Sequence, residues 1–150
     1  MNKLVIPGKL ESLPQIRQYV AEASASAALG AGRGYGLGLA VDEIATNIIV
    51  HGYREHGLSG DLCLSVEMTD TELRLIMEDT SPSFDPRSLA PPKDQLDKPL
   101  EQRPIGGLGV YLAFQSIDGF DYRAGSVNRS VFKMKRDDDK SVGPEGEGRV

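Results

Sequence analysis

The stretch Leu39–Tyr53, LAVDEIATNIIVHGY, decides how the rest of the chain is read. With Leu37 just upstream, Val41, Ile44, Ala45 and Ile48 recur at helical spacing and form one apolar stripe. A helix is therefore expected with its firm portion from Leu39 to about Tyr53, packed on a core through that stripe. Glu43 and Asn47 lie four residues apart and project from one side, with about 5–6 Å between their β-carbons. That side is nearly opposite the stripe. A carboxylate and an amide oxygen one turn apart suit a base and a hard-cation ligand, although most such pairs merely solvate a helix face.

Upstream, Lys3–Ile6 reads as a short strand ended by Pro7-Gly8. Ser12 is expected to cap a helix that begins near Leu13-Pro14 and runs to Leu29. Gly30, Gly32 and Gly34 then suggest a break, and Gly36 and Gly38 weaken the start of the next helix. Downstream, Leu62, Leu64, Val66 and Met68 alternate, as do Leu73, Leu75 and Met77, with Thr69-Asp70-Thr71 between them as a hairpin turn. From Thr80 to Gly107 the pattern gives way to Pro, Asp, Lys and Ser, a long loop of the kind that serves as a lid or is disordered. A short helix is expected over Leu108–Ser116. A second hairpin follows, with Phe120 and Tyr122 in one strand, Ser130, Phe132 and Met134 in the other, and the turn around Gly125–Asn128. The residues from Asp137 to Val150 are charged and glycine-rich and are expected to be a disordered tail behind a folded domain over 1–136. These elements predict an α+β fold, a two-layer sandwich with helices on one face of a mixed, largely antiparallel sheet.

A chain of 150 residues closes a real core as one domain. The net charge of −5 argues against nonspecific binding to nucleic acid or anionic membrane. Cys63 is the only cysteine, so internal disulfides and cysteine zinc clusters are excluded, and its place in a strand-like run predicts a buried thiol. No apolar run spans a membrane and the N-terminus lacks a signal-peptide core, so a cytoplasmic protein is expected.

Two further segments bear on chemistry. Asp79 ends a strand and opens EDTSPSFDP; a carboxylate there accepts a hydrogen bond from an exocyclic amine such as adenine N6 and disfavours the guanine carbonyl. Alone, Asp79 reads as a strand-terminating turn residue. In Pro104-Ile105-Gly106-Gly107-Leu108-Gly109-Val110, glycines precede a helix start, which lets backbone N–H groups approach an anion. Alone this junction is weak, but it gains weight downstream of Glu43, Asn47 and Asp79.

Taken in order, the E-x-x-x-N helix, the aspartate turn and the G-G-x-G loop resemble the Bergerat ATP-binding fold. The segments DEIATNIIVHGY, EDTSPSFDP and GGLGVYLA are most similar to the anti-sigma-factor serine kinases of bacteria, the RsbW and SpoIIAB type, over approximately Lys3–Arg136. The resemblance implies Glu43 as general base, Asn47 as Mg²⁺ ligand and Asp79 as the adenine contact. It implies Gly106, Gly107 and Gly109, with Leu108 among them, as the phosphate cradle, and Ser81, Ser83 and Phe84 as nucleotide neighbours. One asparagine suffices for Mg²⁺, which takes most of its oxygens from phosphate and water. Ser81 and Ser83 depart from the family by standing where it carries glycines. Arg103 is read as a solvated loop arginine, with a phosphate contact from the lid as the alternative, and His51 and His56 as structural or surface residues without a phosphoacceptor role.

The implied function is ATP-dependent serine kinase activity on a STAS-type anti-anti-sigma partner, with binding of a sigma factor and homodimerisation. The absence of attached sensor or transducer sequence is consistent with separate partners. The alternative is a nucleotide-gated regulatory binding protein that transfers no phosphate; a stand-alone ATPase is a third and weaker reading.

Overall fold

The computed structural model describes residues 1–89 and 108–136. In chain order the main elements are β1 (Leu4–Pro7), α1 (Leu13–Ser26), α2 (Ala31–Asn47), β2 (Asp61–Met68), β3 (Glu72–Asp79), α3 (Leu108–Gln115), β4 (Gly119–Arg123) and β5 (Asn128–Lys135). The strands form one sheet in the order β1-β2-β3-β5-β4. Every neighbouring pair is antiparallel, the limiting case of the largely antiparallel sheet expected. The Thr69–Thr71 turn closes β2 onto β3, and its Thr69 hydroxyl accepts the Thr71 and Glu72 N–H groups.

Strand alternation separates the two faces of the sheet. Ile6, Leu62, Leu64, Leu73, Leu75, Met77, Phe132 and Met134 are buried in one core with the inner faces of α1 and α2. Ile16, Val20 and Ala23 come from α1, and Leu37, Ala40, Val41, Ile44 and Ala45 from α2. The opposite face carries the ion pairs Arg74–Glu72, Arg129–Glu67 and Lys133–Asp121. Cys63 alternates with Leu62 and Leu64 and so lands on that second face, half-buried rather than buried as expected. Its position between apolar neighbours suggested burial, but the period of two places it on the polar side.

Both helices depart from their expected bounds. α1 stops at Ser26 instead of Leu29, because Ala28 takes φ +56° and the Leu29 N–H turns back to the Ser24 carbonyl. Ser12 occupies the N-cap position without a capping hydrogen bond from its side chain. α2 begins at Ala31, eight residues before Leu39, through the glycines expected to form a break. Packing accounts for one of them and for Gly36: a β-carbon on Gly34 would lie 3.2 Å from Ser24 Cβ, and one on Gly36 would lie 2.9 Å from the Ser116 carbonyl oxygen. Local helix propensity yields here to close approach of neighbouring segments. At its other end α2 gives way to a π-helical turn, Ile48–Tyr53, then a 3₁₀ turn, Arg54–His56, ended by left-handed Gly57.

Among the described residues, no helix is long and apolar enough to cross a membrane. The lid expected over 80–107 is described only to Leu89, where Pro86–Leu89 forms a 3₁₀ turn. The expected tail over 137–150 lies outside the described residues.

Candidate active site

The buried stripe of α2 fixes the rotation of the helix and turns Glu43 and Asn47 to its half-buried side. The first turn of α3, which contains Leu108 and Gly109, meets that side. A β-carbon on Gly109 would lie 2.7 Å from Cδ and Oε1 of Glu43, so the carboxyl group occupies the space that glycine leaves. The partial positive charge at the start of α3 favours an anionic group there. One turn along α2, Asn47 Nδ2 is buried without a hydrogen-bond partner among the described residues. A buried amide left this way calls for a ligand or an ordered water. Gly106, Gly107 and Arg103 lie outside the described residues.

A second cluster forms at the end of β3. Asp79 shares the helix-facing side with Leu73, Leu75 and Met77 and is only 3% exposed. Its Oδ1 accepts hydrogen bonds from the Ser81 N–H (2.9 Å), the Ser81 hydroxyl (2.5 Å) and Asn128 Nδ2 (3.0 Å). Among the described residues no hydrogen bond reaches Oδ2. Asn128 stands directly across from Asp79 in the β3–β5 register and is 1% exposed. It also donates to the Ser81 carbonyl (2.7 Å), while its Oδ1 accepts from the Ser83 hydroxyl (2.6 Å) and the Gly125 N–H (3.3 Å). The serines that depart from the family's glycines are thus bonded into the support of Asp79. Room for Ser81 comes from Gly52, where a β-carbon would lie 2.7 Å from Ser81 Oγ.

Phe84 contributes its backbone: its N–H donates to Tyr122 Oη (2.9 Å) while its ring is largely exposed. Burial raises the Tyr122 pKa. Just beyond, Arg87 pairs with Asp85 at 2.7 Å and holds that carboxyl below its ordinary range; the guanidinium also lies over the Phe120 ring, 5.9 Å from its centroid. His51 and His56 are exposed: His51 pairs with Glu55, and His56 Nδ1 bonds the His51 carbonyl.

Sequence reasoning passed over Asn128 and Tyr53. Asn128 falls on the same alternation as Ser130, Phe132 and Met134, so a polar residue at an inward position was a usable signal. Tyr53 gave no such signal, because it bonds backbone groups of Asp61 and, 27 residues away, Thr80, which no side-chain pattern reports. No group of three or more His, Cys, Asp or Glu residues capable of holding a metal exists among the described residues, so the protein supplies no closed metal cage there.

A model of the histidine kinase-like ATPase domain matches residues 6–135. The serine-protein kinase RsbW of Bacillus cereus (strain AH820) is 30% identical over 119 residues, covering 77% of this chain and 72% of the relative. RsbW of Bacillus anthracis matches with the same identity and coverage, and RsbW of Bacillus thuringiensis (strain Al Hakam) is 29% identical over the same 119-residue length. With the helix wall, the aspartate turn and an antiparallel five-stranded sheet in place, the chain belongs to the histidine kinase-like ATPase domain family, in its RsbW-type branch.

Proposed function

We propose that this chain is an ATP- and Mg²⁺-dependent protein-serine kinase that phosphorylates a STAS-type anti-anti-sigma partner and binds a sigma factor, acting as a cytoplasmic homodimer. The observation that carries the kinase reading is the seating of the Glu43 carboxyl against Gly109, which sets a general base beside the start of the glycine-preceded helix. The relatives' name, serine-protein kinase, supplies the acceptor class.

In this reading Asp79 Oδ2 accepts from the adenine amine, with Ser81, Ser83 and the Phe84 backbone shaping the turn around the base. The segment Gly106-Gly107-Leu108-Gly109 offers N–H groups to the phosphates. Glu43 removes the proton from the partner's serine hydroxyl; the serine oxygen then bonds to the γ-phosphorus, the bond to the β–γ bridging oxygen breaks, and ADP leaves. The Asn47 amide oxygen fits a hard cation, and its buried, unpartnered Nδ2 fits a ligand-filled site. Mg²⁺ bound there supplies charge neutralisation across the phosphates. The chain's own part is to orient the nucleotide and hold the proton acceptor in place.

The test incubates the protein with Mg-ATP and STAS proteins encoded near it. Transfer of phosphate to one of them, abolished by Glu43→Ala, is expected. ATP binding without any phosphorylated partner, together with partner affinity that differs between ADP and ATP, would instead establish the nucleotide-gated binding protein.

A further inference from the structure

Tyr53 is 2% exposed and lies at the end of the π-helical turn that follows Asn47. Its ring passes between Gly8 and Gly60, where β-carbons would stand 2.7 Å and 2.6 Å from ring atoms, and the Gly8 N–H bonds the Gly60 carbonyl at 2.8 Å beside it. Two glycines are thus given over to admitting one ring. The hydroxyl at its tip donates to the Asp61 carbonyl (2.9 Å), accepts the Thr80 N–H (2.8 Å) and lies 3.2 Å from Thr80 Oγ1.

Thr80 is the residue after Asp79, so this hydroxyl holds the peptide that joins Asp79 to Thr80. The neighbouring Gly52 leaves the space that Ser81 fills, and Ser81 donates twice to Asp79 Oδ1. The same continuous segment carries Glu43 and Asn47 on α2. The end of this helical segment is therefore bonded to the aspartate turn at Tyr53 and packed closely against it at Gly52.

Resting on the nucleotide reading above, we propose that Tyr53 is a positioning residue for base recognition, acting through the Thr80 peptide on the direction of the Asp79 carboxylate. Without the hydroxyl, the Thr80 N–H loses its acceptor, and the turn is free to rotate Asp79 Oδ2 away from an exocyclic amine. A residue that only stabilises the core would affect all nucleotides alike. One that aims Asp79 affects only bases that present an amine to it.

The experiment is calorimetric titration with ADP and with inosine diphosphate, which carries a carbonyl in place of the adenine amine. In Tyr53→Phe, ADP is expected to bind roughly fivefold to tenfold more weakly. Affinity for inosine diphosphate is expected to stay within about twofold, and the ADP loss to shrink to about that level when Tyr53→Phe is added to Asp79→Asn. Gly52→Ala provides a second variant, since its β-carbon would displace the Ser81 hydroxyl, and the same ADP-selective loss is expected. If wild-type protein binds ADP, equal losses for both diphosphates in Tyr53→Phe, or no loss, would overturn the role of Tyr53 alone. Wild-type protein that binds neither diphosphate would overturn the nucleotide reading and this inference with it.

Discussion

Gly109 and Glu43 share one volume: the carboxyl group of Glu43 fills the position that a side chain at residue 109 would take. Gly109 is helical, so alanine suits its backbone, and the atoms in the way are the far end of a flexible side chain. Gly109→Ala is therefore expected to change stability by less than about 1 kcal/mol. By displacing the proposed base, it should slow the proposed phosphotransfer by about 10- to 100-fold. Thermal unfolding and a single-turnover phosphorylation assay measure the two effects separately.

Asp79 and Glu43 act at different stages in the proposed reaction, and their variants should separate accordingly. Asp79→Asn removes a buried charged acceptor and is expected to weaken binding of a non-hydrolysable ATP analogue by about 10-fold or more. Glu43→Ala should change that affinity far less if, as proposed, Glu43 acts in the chemical step. Asn128→Ala withdraws a donor from both Asp79 and the Ser81 carbonyl, and should cost about 1–3 kcal/mol of stability alongside a loss of affinity. Calorimetric titration decides the order, and the reverse order for Asp79 and Glu43 would refute these assignments.

The glycines of α2 should respond in opposite directions. At Gly38 an added β-carbon meets nothing within 4 Å, so Gly38→Ala is expected to stabilise the protein by about 0.5–1 kcal/mol through helix propensity alone. At Gly36 the obstacle is the Ser116 backbone carbonyl, which cannot swing aside. There the overpacking cost of about 1–3 kcal/mol exceeds the propensity gain, and Gly36→Ala should lower the unfolding midpoint in urea.

The Asp85–Arg87 pair gives a pH-dependent test. Arg87 depresses the Asp85 pKa below 3.8, so the pair contributes stability above the unfolded carboxylate value and loses it as pH falls through the lower, folded value. Both side chains are more than a third exposed, which limits the contribution at pH 7 to less than about 0.5 kcal/mol. The difference in stability between wild type and Asp85→Asn should shrink below about pH 4 and in high salt. A difference that grows on acidification would contradict this account.

What was legible in the sequence follows the range of the interactions involved. The stripe from Leu37 to Ile48 and the alternation in β2, β3 and β5 are periodic, and they located the helix wall, both hairpins and the α+β layering. The start of α2 was misplaced because Gly34 and Gly36 answer to Ser24 and Ser116, which no local pattern reports. The ending of α2 in a π-helical turn was invisible for the same reason, since Tyr53 and Gly52 serve Thr80 and Ser81 across the fold. Glu43, Asn47 and Asp79 stood out as chemistry-bearing residues at recognisable spacing. The network that orients Asp79 rests on Asn128, 49 residues away, and only the sheet register brings the two together.

That separation has a consequence for the order of folding. The hairpins β2–β3 and β4–β5 form from neighbouring stretches of chain, but β3 meets β5 only after the whole intervening segment has closed into a loop. The contact between Asp79 and Asn128 is thus absent from any intermediate that holds only the hairpins. A nucleotide that needs this contact binds the completed fold, and its added stability by mass action appears as slower unfolding rather than faster folding.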